Sequence, residues 1–407
     1  MNYDVAVLGA GIAGLTACLE LCRNGKKVIL IEKENDVGGL CRSFEYKDFT
    51  LDYGPHLLFL HRKETSDFIQ SLNFSDQIYS KKLNHSLWYN GKLYDYTKNM
   101  DRLRLTFHFK RVPLFLARIF LLKREPKEKN AEEWLIKNLG RKSYENFFKP
   151  ILYKRFRIDV KKLNPITLNW IIKRFVKYGF KGDEAYVKGG MGKFPLRISE
   201  EIKKLGGEIA TNTTVNKIAK QKDFFEISFK DKKIKTKAVM SAMPPKDFSS
   251  ISNIKLPEIK YLHSMFIFFG IEEKTLFGNF DIIFPDKCFW FQRVYEPTTM
   301  YEKTSNGSVI CADKYFNEIP KDTEKEKEKC IEGMNRLIPN FEEKIKWSLV
   351  VPYQNSFALS KKIENLPNGL FVIGQSSVEE EIFPSIDELI KRAIETSKEV
   401  NNYLESL

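Results

Sequence analysis

The sequence is poor in the features that define several protein classes. Its six cysteines are scattered along 407 residues without a CxxC pair, so neither a metal site nor a disulfide framework is predicted. No internal repeat is present, and a composition with 43% hydrophobic and 13% aromatic residues is that of a globular protein. The first predicted strand begins at residue 3, which leaves no room for a signal or transit peptide, so a cytoplasmic protein is expected.

Basic residues are in excess but are not clustered. Sixty-seven Lys and Arg against 53 Asp and Glu give a formal net charge of +14. Such an excess suits an anionic substrate, a membrane surface or nucleic acid. Because no nucleic-acid recognition module is present, nucleic acid is not an expected partner. The lysines are spread along the whole chain, so a solvated lysine-rich surface is the simplest interpretation.

Residues 102–124, RLRLTFHFKRVPLFLARIFLLKR, combine basic and large apolar side chains. The stretch is too short and too charged to span a bilayer. It suits either a membrane interface, where basic residues meet anionic headgroups, or a helix packed on its own domain. We favour the packed helix and keep peripheral membrane contact as the alternative.

The N-terminal stretch carries the strongest local signal. Val5–Leu8 is an apolar run too short for a helix, and Gly9, Gly11 and Gly14 follow it directly before a stretch with helical spacing. A second apolar run, VILI, then ends in Glu32, about twenty residues beyond the turn. The pattern of strand, glycine turn, helix, strand and acid predicts a dinucleotide site.

Each part of this pattern has a physical task. The glycines allow a tight turn, close approach of the backbone to a pyrophosphate, and close packing of helix and strand. The helix N-terminus offers free N–H groups and the positive end of its dipole to the phosphates. An acid at the ribose position disfavours a 2′-phosphate, so FAD or NAD is expected rather than NADP.

Strand and helix signals recur along the chain and predict an α/β fold. The charged run from Lys321 to Lys329 predicts an exposed helix, and the capping box from Ser385 to Glu388 predicts the start of a C-terminal helix. The pattern of a nucleotide domain returns after about residue 185, and aromatic strands between residues 261 and 313 predict a second sheet. We therefore predict a Rossmann-like nucleotide-binding domain interleaved with an α+β substrate-binding domain. The predicted segments are 1–80, 186–250 and 351–407 for the nucleotide-binding domain, and 81–185 (mostly helical) and 251–350 (sheet) for the substrate-binding domain.

Further segments carry a family resemblance. From Gly38 and Gly39, followed by Arg42, the sequence resembles the flavoprotein superfamily of amine oxidases, protoporphyrinogen oxidases, carotene desaturases and UDP-galactopyranose mutases. The resemblance spans nearly the whole chain and implies that the dinucleotide is FAD. Its other segments are DYGPH (Asp52–His56), YVKGGMGKFP (Tyr186–Pro195), VMSAMPP (Val239–Pro245) and NGLFVIG (Asn368–Gly374).

The resemblance also implies which residues hold FAD. The glycine turns and the acid would hold the ADP half, Val215 would meet the adenine, and the last helix would point its N-terminus at the isoalloxazine, where it stabilises the negative charge of reduced flavin. The implied cofactor residues are Gly9, Gly11, Ala13, Gly14, Glu32, Lys33, Gly38, Gly39, Arg42, Gly54, Pro55, His56, Val215, Gly374, Gln375, Phe383 and Ile386.

Within the superfamily, three segments resemble the mutases. These are GPH with the apolar residues after it, FFKPILYKRF followed by WIIKR, and FWFQRVYE. This resemblance implies that Arg174 and Arg293 lie near the substrate, where guanidinium forks suit a diphosphate. It also implies that His56 lies beside the flavin and that Tyr315 binds substrate.

The sequence departs from the mutases at the C-terminal end. Gln375 replaces an arginine, and Ile382, Phe383 and Pro384 replace tyrosines. We therefore favour an oxidoreductase in which a substrate C–H or N–H bond donates hydride to flavin N5. A redox-neutral mutase that acts on a nucleotide sugar through reduced FAD is the alternative, and a non-catalytic flavin-binding protein is the third. The expected partner is a small-molecule substrate, which would be an anionic nucleotide sugar under the mutase alternative, and a homodimer is a possible assembly.

Arg293 has a structural interpretation as well as a functional one. It lies among Phe289, Trp290 and Phe291. A charge buried among aromatic side chains costs free energy unless another group pairs with it. The sequence therefore predicts that some group pairs with Arg293, and a substrate is one candidate.

Overall fold

The computed structural model describes residues 2–80, 83–95, 98, 100–101, 126–156, 159–166, 168–169, 184–230, 232–278, 281–285, 288–300, 307–359, 363, 365–377 and 385–407. Arg174, Phe383 and the stretch 102–124 lie outside the described residues. The strands are β1 (Asn2–Leu8), β2 (Val28–Ile31), β3 (Ser43–Tyr46), β4 (Phe49–Asp52), β5 (Leu58–Phe59), β6 (Ile78–Ser80), β7 (His85–Tyr89), β8 (Lys92–Asp95), β9 (Glu184–Val187), β10 (Glu208–Ala210), β11 (Val215–Lys220), β12 (Phe225–Phe229), β13 (Lys232–Ser241), β14 (Lys260–Ile271), β15 (Asp281–Ile283), β16 (Arg293–Tyr295), β17 (Ser308–Phe316), β18 (Ile345–Leu359) and β19 (Leu370–Val372). The helices are α1 (Ile12–Arg23), α2 (Lys63–Ser71), α3 (Ala131–Leu139), α4 (Arg141–Ser143), α5 (Lys149–Phe156), α6 (Lys193–Lys204), α7 (Pro245–Ser252), α8 (Thr323–Leu337), α9 (Phe341–Lys344) and α10 (Ile386–Glu405).

Short helical turns complete the list of elements. A π-helical turn, Tyr144–Phe148, joins α4 to α5. The 3₁₀ turns are Gly39–Cys41, Ser75–Gln77, Val160–Lys162, Pro297–Met300 and Gln375–Ser377.

The chain forms two compact units, and the fold is α/β. Unit 1 contains Met1–Ser80, Asp183–Lys260 and Ala358–Leu407. Unit 2 contains Lys81–Gly182 and Tyr261–Phe357.

Unit 1 is built on a seven-stranded sheet with the order β10-β2-β1-β13-β12-β11, and β19 also pairs with β13. The pairs β10 with β2, β2 with β1, β1 with β13, and β13 with β19 are parallel. Parallel strands are covered on both faces, which explains the continuous apolar runs of β1 and β2. Because β1 and β2 are parallel, their carboxyl ends place the glycine turn and Glu32 at one edge of the sheet.

Three helices of unit 1 pack together. α1 contacts both α6 and α10. Residues Ile12 to Leu19 of α1 are all buried, and the Ser397 hydroxyl of α10 lies 3.4 Å from the carbonyl oxygen of Ala17. The predicted capping box opens α10, because the Ser385 side chain accepts a hydrogen bond from the backbone N–H of Glu388.

Unit 2 is built on a second seven-stranded sheet with the order β18-β14-β17-β16-β15-β7-β8. One face of this sheet, with Ile267, Val294 and Ala312, packs with Cys330 and Met334 of α8 in an apolar core. The residues between them in the strands point to the opposite face, because side chains alternate along a strand.

The structure differs from the sequence prediction at three places. β11 and the 15-residue strand β18 were not predicted, since neither has a clean alternation of apolar and polar residues. The charged run from residue 321 to 329, predicted to be an exposed helix, lies mostly in α8 but buries Glu326. The Glu326 carboxylate accepts a hydrogen bond from Trp290 Nε1 at 2.6 Å, so this helix face is a structural contact.

Candidate functional site

The glycine turn after β1 is shaped by close backbone packing. Gly9 has a φ of +97°, which favours glycine, and its N–H donates to the Ile31 carbonyl at 2.8 Å. A Cβ built on Gly14 would lie 1.9 Å from the Gly9 carbonyl oxygen. Helix α1 can therefore approach β1 this closely only if residue 14 has no side chain.

Gly11 differs from Gly14, because a Cβ built there would meet no heavy atom within 4 Å. Gly11 is the N-cap of α1, no side chain caps this helix end, and its first turn has no acidic residue. The N-terminal N–H groups of a helix lack intrahelical acceptors and attract anions. The open space above Gly11 therefore fits a pyrophosphate held against the backbone.

Glu32 is held at the same edge by backbone donors. Its carboxylate accepts hydrogen bonds from the N–H groups of Ala10, at 2.6 Å, and Glu34, at 3.0 Å. The N–H of Thr213 donates to the Glu32 carbonyl at 2.9 Å, which brings the start of β11, with Val215, close to this acid. Lys33 lies 3.9 Å from the Glu34 carboxylate with an exposed ammonium group.

The glycine pair Gly38 and Gly39 lies next to the glycine turn that follows β1. Gly38 has a φ of +117° and donates its N–H to the Ala10 carbonyl at 2.7 Å. Arg42 Nε donates to the Gly39 carbonyl at 3.1 Å, and the guanidinium lies 5.6 Å from the centre of the Tyr53 ring. A positive charge is thus fixed beside the phosphate turn.

Asp52 is a buried acid that accepts hydrogen bonds from several segments of unit 1. Local sequence patterns did not predict these contacts. Its carboxylate accepts hydrogen bonds from the Ser43 hydroxyl at 2.5 Å, from the Tyr186 hydroxyl, and from the Met191 N–H at 3.2 Å. Ser43 Oγ in turn accepts from the Gly192 N–H at 2.7 Å. Asp52 therefore connects Ser43, in the segment after Gly38 and Gly39, to the turn that precedes α6.

The burial of Asp52 has an electrostatic consequence. Burial raises the pKa of Asp52 to about 6, although the hydrogen bonds from Ser43, Tyr186 and Met191 oppose the change. A raised pKa means that the folded protein binds a proton more tightly than the unfolded chain does. The stabilising contribution of protonated Asp52 is complete below its unfolded pKa and is lost as the pH rises through about 6.

This predicts a specific difference between the wild type and an Asp52→Asn variant. Between about pH 4 and pH 7 the wild type should lose about 3 kcal/mol of unfolding free energy relative to the variant, which has no proton to release there. Urea unfolding followed by circular dichroism, at matched pH values, measures both slopes. Parallel pH curves for the two proteins would contradict a raised pKa for Asp52.

The remaining predicted cofactor residues lie in two segments of unit 1. Gly54 is buried with a φ of +127°, and its carbonyl accepts the N–H of His56, which is half-buried, at 3.0 Å. Gly374 has a φ of +88°, and the Gln375 side-chain oxygen accepts the N–H of Ala358 at 2.9 Å. Ile386 is buried in the first turn of α10.

A buried acid, Asp387, connects the start of α10 to the segment that contains Gly54 and His56. Asp387, in the first turn of α10, accepts the N–H of Phe59 at 3.1 Å, and Glu388 pairs with Arg62 at 3.1 Å. Burial raises the pKa of Asp387. The N-terminus of α10 is thereby fixed to the chain that follows His56.

In unit 2 the structure places an acid beside Arg293. Arg293 Nε donates to Asp313 Oδ2 at 3.1 Å, and Nη2 donates to the same oxygen. Asp313 is fully buried, and its Oδ1 has no hydrogen-bond partner in the described part of the chain. Burial alone would lower the pKa of Arg293, but the nearby Asp313, Tyr315 and Asp281 more than offset it and raise the pKa. Arg293 is therefore permanently charged and largely neutralised by Asp313.

Further polar residues share the sheet face of Arg293. Asp281 lies opposite both Tyr295 and His85 on neighbouring strands, and its carboxylate is 2.6 Å from His85 Nδ1. Tyr315 follows Asp313 by two positions, and its half-buried ring lies 5.8 Å from that of Phe357. We name the set formed by His85, Asp281, Arg293, Tyr295, Asp313 and Tyr315 the polar face of unit 2.

The described part of the chain has neither a membrane-spanning helix nor a cluster of metal ligands. No described helix combines the length and the apolar character needed to cross a membrane. Across the residues that the structure describes, no three histidine, cysteine or acidic side chains are placed to hold a metal ion.

Comparison with known proteins decides between the dinucleotides. The sequence profile described as flavin containing amine oxidoreductase matches residues 12–356. The chain belongs to this family. Its cofactor is accordingly FAD.

Two curated relatives that match this chain are named for different reactions, a reduction and a mutase reaction. The chain is 26% identical to the inactive all-trans-retinol 13,14-reductase of Danio rerio over 320 residues, which are 64% of this chain and 50% of that protein. It is also 40% identical to the UDP-galactopyranose mutase of Mycoplasma pneumoniae over 74 residues. These residues are 17% of this chain and 18% of that protein. The chain thus spans half or less of the length of these relatives.

A solved structure of reduced UDP-galactopyranose mutase has a similar fold. It superimposes with a TM-score of 0.78 and 15% identity, over 99% of this chain and 94% of that one. At this identity the similarity establishes the fold of this flavoenzyme family and not the reaction.

Proposed function

We propose that the protein is a FAD-dependent oxidoreductase in which a C–H or N–H bond of a small substrate donates a hydride to the flavin. Bound FAD supplies the hydride acceptor at N5. The overall change would be a two-electron oxidation in which the substrate loses a hydride and a proton, and oxygen or another electron carrier would be the final acceptor. The residues of unit 1 described above would hold FAD, and the polar face of unit 2 would bind the substrate.

The observation that carries this proposal is the pairing of Arg293 with Asp313. The polar face has two carboxylates, Asp281 and Asp313, and one guanidinium, Arg293, with His85 as a further group that can be protonated. Its net charge is therefore negative or zero. A diphosphate, which needs uncompensated positive charge, suits this face less well than a neutral or cationic group does.

The mutase reaction is the second candidate. It is supported by the local identity of 40% to the Mycoplasma pneumoniae mutase. In that case Arg174 would join Arg293 and Tyr315 at a nucleotide sugar, and the reduced form of the enzyme would be the active one. The replacement of mutase residues by Gln375 and Phe383 argues against this candidate.

Spectroscopy of the FAD-loaded protein separates the two candidates. Under anaerobic conditions, a panel of amines, alcohols and unsaturated lipids is added to the oxidised protein, and UDP-galactose is added to both the oxidised and the dithionite-reduced protein. We expect one hydride donor to bleach the visible flavin absorbance and oxygen to restore it. Conversion of UDP-galactose by the reduced protein alone would replace the oxidoreductase proposal with the mutase.

A further inference from the structure

A cavity of about 400 Å³ opens on unit 2 outside the polar face. Two stretches of chain line it, Pro126–Lys129 and Lys161–Ile166. No residue of either stretch belongs to the predicted FAD or substrate sites. We call it the lysine cavity, because four of its ten lining residues are lysines.

The lysine cavity carries uncompensated positive charge. Its lining has four lysines and one acid, Glu128, which is a net charge of +3. Lys137, from outside the lining, holds the Glu128 carboxylate at 2.6 Å, and this contact lowers the pKa of Glu128. Lys161 lies 3.9 Å from Glu132. The other three lysines, Lys127, Lys129 and Lys162, form no ion pair with any residue that the structure describes.

The backbone of the cavity is held by local hydrogen bonds. Asp159 accepts the N–H of Lys161 at 3.0 Å, and the Asn164 side chain accepts the N–H of Ile166 at 2.9 Å. These contacts fix the second stretch, which carries two of the lysines. The second stretch is therefore held by hydrogen bonds within its own segment.

Apolar side chains lie between the lysines. Leu163 is buried, whereas 42% of Ile166 is exposed. Each stretch also contains one proline, Pro126 in the first and Pro165 in the second. A ligand that suits this lining has an anionic head and an apolar part.

We propose that the lysine cavity binds a phosphate-bearing ligand with an apolar portion. Ammonium groups are compact point charges that several phosphate oxygens can contact together, whereas a planar carboxylate is better matched by arginine. Attraction between exposed charges is screened by salt, so binding should weaken as the ionic strength rises. A free phosphorylated molecule and the headgroup of a phospholipid present the same chemistry.

The test uses the FAD-loaded protein and the charge-reversed variant Lys127→Glu/Lys162→Glu. The matched control, Lys203→Glu/Lys255→Glu, changes the net charge equally through two exposed lysines of unit 1. Calorimetry with phenyl phosphate measures binding of a free ligand. Co-sedimentation with vesicles of phosphatidylglycerol and phosphatidylcholine measures binding of a headgroup.

We expect the cavity variant to weaken at least one of these interactions about tenfold and the control to change it about twofold or less. Loss of phenyl phosphate binding identifies a free ligand as the source, and loss of vesicle binding alone identifies a lipid headgroup. The proposal is overturned if neither probe binds, or if both variants weaken binding equally, which would indicate net charge rather than a site. These outcomes do not depend on the reaction of the flavin.

Discussion

A Gly14→Ala variant should retain no FAD through gel filtration and should be less stable than the wild type by about 2 kcal/mol or more. The added Cβ would lie 1.9 Å from the Gly9 carbonyl oxygen and 3.1 Å from its carbonyl carbon. Because both atoms are backbone, the contact can be relieved only if α1 moves away from β1. Alanine in a helix normally gains about 1 kcal/mol over glycine, so the overpacking must exceed this gain to produce a net loss.

Gly11→Ala provides the matched control. Gly11 has a φ of −69°, and a Cβ there meets nothing within 4 Å. The variant should therefore fold with an unfolding midpoint close to that of the wild type but bind FAD more weakly, because its methyl group occupies the space of the pyrophosphate. Flavin content and urea unfolding of the FAD-free proteins measure the two effects separately. A Gly14→Ala protein with full flavin content would contradict the packing argument.

The strand, helix and strand around the glycine turn could be predicted because their signals are local. Apolar runs, glycine spacing and one acid lie within about thirty residues, and the structure has β1, α1 and β2 in the predicted places. The Ser385 cap of α10 was predicted for the same reason, since the capping residues are three positions apart.

The hydrogen bonds that Asp52 accepts could not be predicted from local signals. Asp52 and Tyr186 are 134 positions apart, and their contact depends on the packing of β4 against the turn before α6. Both segments, DYGPH and YVKGGMGKFP, were recognised by resemblance. Their direct contact, however, is a property of the folded chain that neither segment shows alone.

The sequence around Asp313 contains a signal that this residue is buried beside Arg293. Asp313 lies in the strand sequence SVICADKYF, where it follows an apolar run, as Arg293 follows aromatic residues. Two opposite charges in neighbouring apolar strands indicate a buried pair. When the same reasoning is applied to Arg293 alone, it predicts a partner for the guanidinium but does not identify that partner.

The Arg293–Asp313 pair predicts a large effect in unit 2. An Asp313→Ala variant should be less stable than the wild type by about 3 kcal/mol, because it leaves the guanidinium charge without its partner in a largely buried position. The side chain of Arg293 is 17% exposed, so the loss should lie at the lower end of the range for buried pairs. All five tryptophans lie in the sequence ranges of unit 2, so tryptophan fluorescence during urea unfolding reports on this unit.

The double variant Arg293→Met/Asp313→Leu tests whether the cost comes from the unpaired charge. Replacing both partners with apolar residues removes the charge that Asp313→Ala leaves behind, so the double variant should be more stable than the single one. If Asp313→Ala is instead as stable as the wild type, Arg293 is solvated without Asp313. Its charge would then be available to a substrate anion, and the charge argument for an oxidoreductase over a mutase would lose its basis.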